Sequence, residues 1–571
     1  MDGAMSSQAT PRPSIIAGLP LAEETGIGAL TLSAYLREVT TRHAGHEALV
    51  MHEAGGVTRW SYAELWEQAM AVARALAACG VGKGTRVGVL MTNRPEWLAA
   101  TFGTSLAGGI AVGLSTFSTP AELDYLLRAS SVSVLLFERH VLRKDFVAIL
   151  RDLLPEAASG EPGAIESLDY PYLRHLAMCG PAAGAGEGAI EGWETFLARG
   201  AAVPPALIDA MAATVSPSDP GLLFFSSGST SKPKGIMNAH RGVCLQLWRW
   251  VRFYNYTPDV AVRCWSANGF FWSGNFAQAL GGALSTGGSL VLQAIFVADE
   301  ALRLMEIERV TLPVAWPHQW KQLSDAPNFA ATDLGALHYV GHTTPLGLHP
   351  SVHTIWQDPM AAYGNTETFT ISAIFASGTP VERIGRSHGE PQPGMVFKIV
   401  DPLTGAVVPL GERGEIAVKG PTLMLGYVGT PLDETLDAEG FFRTGDGGYV
   451  DGENRLYWEG RLTDIIKTGG ANVSPLEIDE VLSRCPGVKI SMTVGVPDEH
   501  LGEIVVACII PFEGTTLDDA AIRDFAKEAL ASYKVPRRVL FFREEEFATT
   551  GSNKIKSNDL RKLAAARLEP A

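Results

Sequence analysis

The chain lacks what several function classes require. Its six cysteines (Cys79, Cys179, Cys244, Cys264, Cys485, Cys508) are scattered, with no Cys-x-x-Cys pair and no His/Cys ligand spacing. That pattern points away from a structural metal site or a disulfide framework and toward reduced thiols in a cytoplasmic protein. Positive charge is scarce: 46 Lys and Arg stand against 62 Asp and Glu, a net charge of −16. No basic stripe interleaves with aromatics, so nucleic acid is not an expected partner. No apolar run approaches membrane-spanning length, so no transmembrane segment is expected. The opening MDGAMSSQATPRPS has neither the charged nor the apolar stretch of a secretory signal. Long internal repeats are missing too.

What is present is 571 residues, 46% of them hydrophobic. That is ample for a packed core and suggests several subdomains. Residues to about Pro20 read as a disordered leader. Ser61-Tyr-Ala-Glu64 is a capping box opening a helix that Gly80 can stop. Arg86 to Met91 and Val132 to Phe137 read as buried strands, and Thr119-Pro-Ala-Glu122 opens a further helix. Strand and helix alternate, which predicts α/β sheets. Pro181 to Ala189, PAAGAGEGA, reads as a surface loop.

The most informative stretch is Leu222-Leu-Phe-Phe225 followed by Ser226-Ser227-Gly228-Ser229-Thr230-Ser231-Lys232-Pro233-Lys234-Gly235. A buried strand empties into small and hydroxylated residues. Their backbone N–H groups can close around an anion, and two lysines add positive charge. It is not a Walker A loop, because Pro233 precedes Lys234 and Gly235 follows it.

This loop resembles the phosphate loop of the adenylate-forming superfamily of acyl-CoA synthetases, luciferases and peptide-synthetase adenylation domains. Ser231 replaces the last glycine of that pattern. Further motifs follow in the family's order. Tyr363-Gly364-Asn365-Thr366-Glu367 resembles Tyr-Gly-x-Thr-Glu, Gly440 to Asp446 resembles aromatic-[Arg/Lys]-Thr-Gly-Asp, and Gly460-Arg461 follows. Gly551-Ser-Asn-Lys554-Ile555 resembles the terminal lysine motif, with Lys556 nearby. The resemblance covers the chain from about residue 30.

The resemblance implies a large AMP-binding domain over 1–462, built of packed α/β sheets with a small β-barrel-like subdomain. A small, mobile α+β lid over 463–571 carries the catalytic lysine. It implies that Ser226 to Thr230 and Lys234 hold the phosphates. His342, Thr343 and Thr344 lie where the family has Gly-Gly-Ala-Pro, under the adenine, and His342 can also turn into the acyl pocket. Tyr363 stacks on adenine beside Gly364 and Asn365, and Thr366 donates to the α-phosphate. Glu367 is the one protein ligand expected for Mg²⁺. Asp446 reads the ribose and Arg461 supports it. Phe271, Trp272 and Gly274 line the acyl pocket; Trp272 stands where an amino-acid-activating domain commonly has Asp. Thr463 is the hinge, Gly469 and Gly470 border the pantetheine tunnel, and Lys554 serves adenylation.

The implied activity is ATP-dependent acid–thiol ligation. A carboxylate attacks the α-phosphorus of ATP, pyrophosphate leaves, and coenzyme A displaces AMP. Aromatics around Phe271 and Trp272, with Trp316 and Trp320, predict a bulky, hydrophobic or ring-containing acid. Two alternatives stand beside this reading: a freestanding enzyme that loads a carrier-protein phosphopantetheine, and a non-catalytic nucleotide-binding protein of the same fold. The residues leave a homodimer open.

Overall fold

Strands that read as unbroken apolar runs must be covered on both faces, which demands helices above and below a sheet. The computed structural model describes residues 12–180, 186–226, 233–359, 361–468, 471–498, 501–530, 534–547 and 557–568. The chain divides into two compact units. The larger holds residues 18–395 and 419–438; the other holds the described residues before 18, residues 396–418, and those from 439 onward.

In the larger unit a nine-stranded sheet runs Gly186–Glu187, Ile190–Gly192, His175–Cys179, Val134–Glu138, Arg86–Leu90, Ile110–Gly113, Pro220–Phe225, Gly235–Ala239, Gly426–Tyr427. Neighbours from Ile190–Gly192 through Pro220–Phe225 pair in parallel. At Phe225 the pattern changes. Gly235–Ala239 turns back antiparallel with Phe225 opposite Gly235, and Gly426–Tyr427 adds antiparallel beyond it. The loop after Phe225 therefore leaves the carboxyl end of a parallel strand, where α/β sheets take their ligands. A second sheet runs Leu312–Val314, Arg263–Ser266, Ser289–Leu292, Glu47–Glu53, Gly56–Ser61; a small third one joins Tyr363–Asn365, Thr370–Ile374 and Glu390–Pro391.

Helix starts follow the capping chemistry in two of three places. Before helix Tyr62–Ala78, the Glu64 N–H donates to Ser61 Oγ (3.2 Å) and the Ser61 N–H to Glu64 Oε2 (2.7 Å). Thr119 and Glu122 make the same reciprocal pair before Pro120–Ser130. Each such cap contributes about 1 kcal/mol. Helix Pro475–Leu482 has Ser474 at its N-cap and Pro475 at its first position, but the Ser474 hydroxyl donates to the Glu459 carbonyl instead of capping it. A strand carbonyl in reach outcompeted the local amide.

Two loop expectations are corrected. Ile15–Ala17, inside the supposed leader, is an edge strand paired antiparallel with Val396–Lys398. Within Pro181 to Ala189, Gly186–Glu187 forms a short strand against Ile190–Glu191, while 181–185 lie outside the described residues. Among the aromatics between residues 248 and 276, Trp248, Trp250, Phe253, Tyr254, Trp265, Phe270 and Phe276 are buried core.

In the other unit one sheet runs Ile15–Ala17, Val396–Val400, Gly414–Lys419, Phe442–Val450, Leu456–Arg461. A second contains Ala471–Val473, Ile466–Thr468, Gly502–Pro511 and Val488–Asp498, with Arg538–Phe541 parallel to Gly502–Pro511. Helices Pro475–Leu482 and Asp519–Ala529 bury Ile478, Leu482, Ile522 and Ala526 against it. This is the expected small α+β element. No single helix among the described residues is long and apolar enough to cross a membrane.

Candidate active site

The phosphate loop is closed at its base by the backbone: the Ser226 N–H donates to the Lys234 carbonyl at 3.0 Å. Tyr125 reaches over from helix Pro120–Ser130 and donates its hydroxyl to the Pro233 carbonyl at 2.9 Å. Lys234 is exposed, and its ammonium lies 4.7 Å from the centroid of the Tyr427 ring. Ser227, Gly228, Ser229 and Thr230 lie outside the described residues.

The second motif forms a tight turn. Asn365 Oδ1 accepts from the Thr368 N–H at 2.9 Å, capping the single 3₁₀ turn Thr366–Thr368. The chain leaves that turn through two left-handed residues, Phe369 (φ 45°) and Thr370 (φ 80°). Such backbone is uncommon for threonine and is held here by its surroundings. Gly364 allows the closure, since a Cβ at that position would stand 1.6 Å from the Thr370 carbonyl oxygen. Tyr363 is buried at 5% exposure, and Thr366 and Glu367 are half-buried. Glu367 is fixed twice: its carbonyl accepts from the Met424 N–H at 2.7 Å, and its Oε1 accepts from the Tyr427 hydroxyl at 2.8 Å.

The structure thus brings Lys234 and Glu367 to one place through Tyr427, a residue that the sequence reading did not select. The long-range pairing of Gly426–Tyr427 with Ile236–Met237 puts it there.

The supposed acyl wall is a chain of rings. Phe271 is buried and meets Phe117 edge-on at 5.8 Å and half-buried Trp272 at 5.4 Å. Phe117, also missed in the sequence, is 47% exposed. A Cβ at Gly274 would meet nothing within 4 Å, so that side of the wall is open. Trp316 is exposed and Trp320 packs into a separate core cluster. His342 and Thr343 are exposed on their turn, whereas Thr344 spends its hydroxyl on the Gly341 carbonyl at 2.8 Å. Beside them Asp358 accepts the Gly341 N–H; desolvation raises its carboxyl above the usual range, and His342 partly offsets this.

In the other unit Asp446 and Arg461 face each other across paired strands. Asp446 is 4% exposed, and Arg461 Nε lies 3.1 Å from its Oδ1. Arg461 also donates to the Thr444 carbonyl at 2.8 Å, and the Asp446 N–H donates to Thr444 Oγ1 at 3.1 Å. Thr463 is exposed, two residues beyond Arg461, with its hydroxyl 3.4 Å from Asp464 Oδ1. Gly469, Gly470 and Lys554 lie outside the described residues.

No group of three or more His, Cys, Asp or Glu among the described residues can hold a metal ion. Glu367 still suits Mg²⁺ as a single ligand. Tyr427 engages Oε1 alone, and Glu367 has no ion-pair partner among the described residues. One hard oxygen is left for a cation whose other positions phosphate and water would fill.

The larger unit has a loop at the end of a parallel strand and a Glu-bearing turn tied to it; the other unit has a buried Asp446 paired with an exposed Arg461. The chain belongs to the AMP-binding enzyme family: that family's model matches residues 36–428, and the AMP-binding enzyme C-terminal domain matches 477–554. It is 30% identical over 540 residues to an indoleacetate–CoA ligase of Aromatoleum aromaticum, covering 93% of this chain and 98% of the relative. It is 30% identical over 529 residues to a feruloyl-CoA synthase of an Amycolatopsis species, covering 91% and 96%. Among solved structures, the anthranilate CoA ligase AuaEII in complex with anthranoyl-AMP matches at a TM-score of 0.76. It is 25% identical and covers 95% of this chain and 99% of that one. ATP-bound MatB from Rhodopseudomonas palustris, 24% identical over 94% and 100%, shares the fold at a TM-score of 0.73.

Proposed function

We propose that this chain is an AMP-forming acyl-CoA synthetase that activates a ring-containing carboxylic acid. The observation that carries the reading is the meeting of Lys234, at the exit of the phosphate loop, with Glu367 through Tyr427. A cation and an anion held close without pairing suit a polyphosphate and its metal.

A carboxylate is a poor electrophile, so the acid must first be activated. Its oxygen attacks the α-phosphorus of ATP, the bond to the β-phosphate oxygen breaks, and pyrophosphate leaves. Negative charge spreads over the phosphate oxygens in the transition state. Lys234, the loop N–H groups of Ser226 to Thr230, and Thr366 stabilise it. Mg²⁺ bound to Glu367 would supply charge neutralisation across the phosphates. Asp446 accepts the ribose hydroxyls, with Arg461 orienting it. Tyr363, Gly364 and Asn365, with His342, Thr343 and Thr344, border the adenine. The Lys554 ammonium stabilises the carboxylate and the α-phosphate as they join. Coenzyme A then enters past Gly469 and Gly470, and its thiol expels AMP. Thr463 marks the start of the lid, 463–571, which follows the large domain, 1–462, in the chain.

Phe117, Phe271 and Trp272 offer flat apolar faces suited to a ring, and the named relatives act on indoleacetate and ferulate. All six cysteines are free thiols, which supports a cytoplasmic setting.

The test is a panel of aliphatic and ring acids with ATP, Mg²⁺ and CoA, followed by pyrophosphate release and acyl-CoA formation. Ring acids exceeding acetate in kcat/KM are expected. Acetate matching the best ring acid overturns the substrate class, and thioester on a phosphopantetheinyl carrier but not on CoA overturns the acceptor. Lys554→Ala should lower adenylation by about 10²–10³ yet still convert premade acyl adenylate and CoA to thioester.

A further inference from the structure

We infer that Tyr427 is a positioning residue for adenylation: its hydroxyl aims Glu367 and its ring face holds Lys234. The inference rests on the function proposed above and concerns how that site is kept ready. Lys234 and Glu367 carry opposite charges and flank one side chain. Left alone, such a pair would close into a salt bridge and neutralise the charges that phosphate and metal need. No such bridge forms between them. The ammonium lies 4.7 Å from the Tyr427 ring centroid, while the phenol hydroxyl donates to Glu367 Oε1 at 2.8 Å. One neutral side chain serves both ions and separates them. A ring face attracts a cation weakly, and a phenol hydrogen bond holds a carboxylate without cancelling its charge.

The placement is rigid because the backbone around Tyr427 is pinned from two directions. Tyr427 stands opposite Ile236, on the strand that leaves the phosphate loop. The Leu425 N–H donates to the Met237 carbonyl and the Val428 N–H to the Gly235 carbonyl, both at 2.8 Å. On the other side, the Met424 N–H donates to the Glu367 carbonyl at 2.7 Å. Loop exit, tyrosine and glutamate therefore form one hydrogen-bonded frame. Sites held on such strands keep their geometry better than sites on free loops.

The full-length protein with Tyr427→Phe and Tyr427→Leu tests this. Phe keeps the ring under Lys234 and removes the hydroxyl; Leu removes both. Calorimetry with Mg²⁺ and a non-cleavable α,β-methylene ATP reads the metal's half-saturation without turnover. Tyr427→Phe should raise that half-saturation, and lower the adenylation kcat, by on the order of 10-fold. Its affinity for the analogue without metal should match wild type. Tyr427→Leu should further weaken the metal-free analogue by about 3-fold, through loss of the ring under Lys234. Thioester formation from premade adenylate should be unchanged in both. A Phe variant equal to wild type in metal half-saturation overturns the inference. So does a Phe variant that melts early and loses both half-reactions together, because that residue would be structural. If wild type adenylates no acid, the proposed function falls, whereas the calorimetric arm still decides the role of Tyr427.

Discussion

Glu367 and Asp446 are both proposed to serve the nucleotide, yet they stand in opposite electrical company. Glu367 is half-buried, accepts one hydrogen bond from a neutral phenol, and faces no ion-pair partner among the described residues. Asp446 is 4% exposed and has the Arg461 guanidinium 3.1 Å away. The first has no cation beside it among the described residues, the setting in which a carboxylate can take a hard cation. The second is already compensated, which leaves an oriented acceptor for neutral hydroxyls. A carboxylate's role here is legible from its partner more than from its burial.

Exchanging the charge for an amide should separate the two most strongly. Glu367→Gln keeps shape and a hydrogen-bond acceptor but removes the anion. Adenylation should fall by about 10²–10³, with a higher Mg²⁺ requirement, read as pyrophosphate release against metal concentration. An unchanged magnesium curve would erase the contrast. The turn that presents Glu367 is the next place to break it. Gly364→Ala puts a Cβ where only 1.6 Å separates it from the Thr370 carbonyl. The backbone must shift, at a cost of roughly 3 kcal/mol. The melting temperature and adenylation should drop together, and a normal melt would show that the turn can relax.

Asp446→Asn should act more gently and on a different parameter. The amide still accepts one ribose hydroxyl but strands Arg461. The KM for ATP should rise by about 10-fold, with the magnesium curve in place. A shifted magnesium curve would mean that Asp446 also answers to the metal.

Much of this was readable in the chain, and the rest was not for a definite reason. The loop after Phe225, the Tyr363 to Glu367 turn and the Asp446–Arg461 pair are short motifs whose chemistry is local. The caps at Ser61 and Thr119 are local too, and they formed as read. Tyr427, Phe117 and Asp358 carry no local signature; each gains its place from strand pairing or from a distant segment. Ile15–Ala17 looked like leader because its partner, Val396–Lys398, is remote. Ser474 missed its cap for the same cause, a carbonyl from another strand. Capping rules rank nearby partners and say nothing about distant ones.

A third carboxylate, Asp479, sharpens the comparison: it is half-buried like Glu367 and has no ion-pair partner among the described residues, yet two hydroxyls donate to it. It lies in the middle of helix Pro475–Leu482 and accepts from the hydroxyls of Ser491 (2.9 Å) and Thr493 (2.7 Å) on the adjoining strand. Desolvation by burial pushes its carboxyl up to about 6, with those hydroxyls opposing the rise. Because the folded value lies above the unfolded one, the folded state holds the extra proton between roughly pH 4 and 6. Stability from this group is therefore fully present below that window, falls as pH rises through it, and stays low above it. A rise of this size corresponds to roughly 3 kcal/mol. Asp479→Asn removes the ionisation but trades an acceptor oxygen for an NH₂, which gives back part of the gain. The expected net effect is about 1 kcal/mol of added stability at pH 7.5 and none at pH 4. Hydrogen exchange of the Val488–Asp498 amides reads it locally, where whole-chain unfolding of two units would blur it. Slower exchange in the variant at pH 7.5, converging with wild type at pH 4, is the outcome expected. Equal exchange at both values would mean that the hydroxyls alone carry the charge, and that a buried carboxylate here needs neither metal nor arginine.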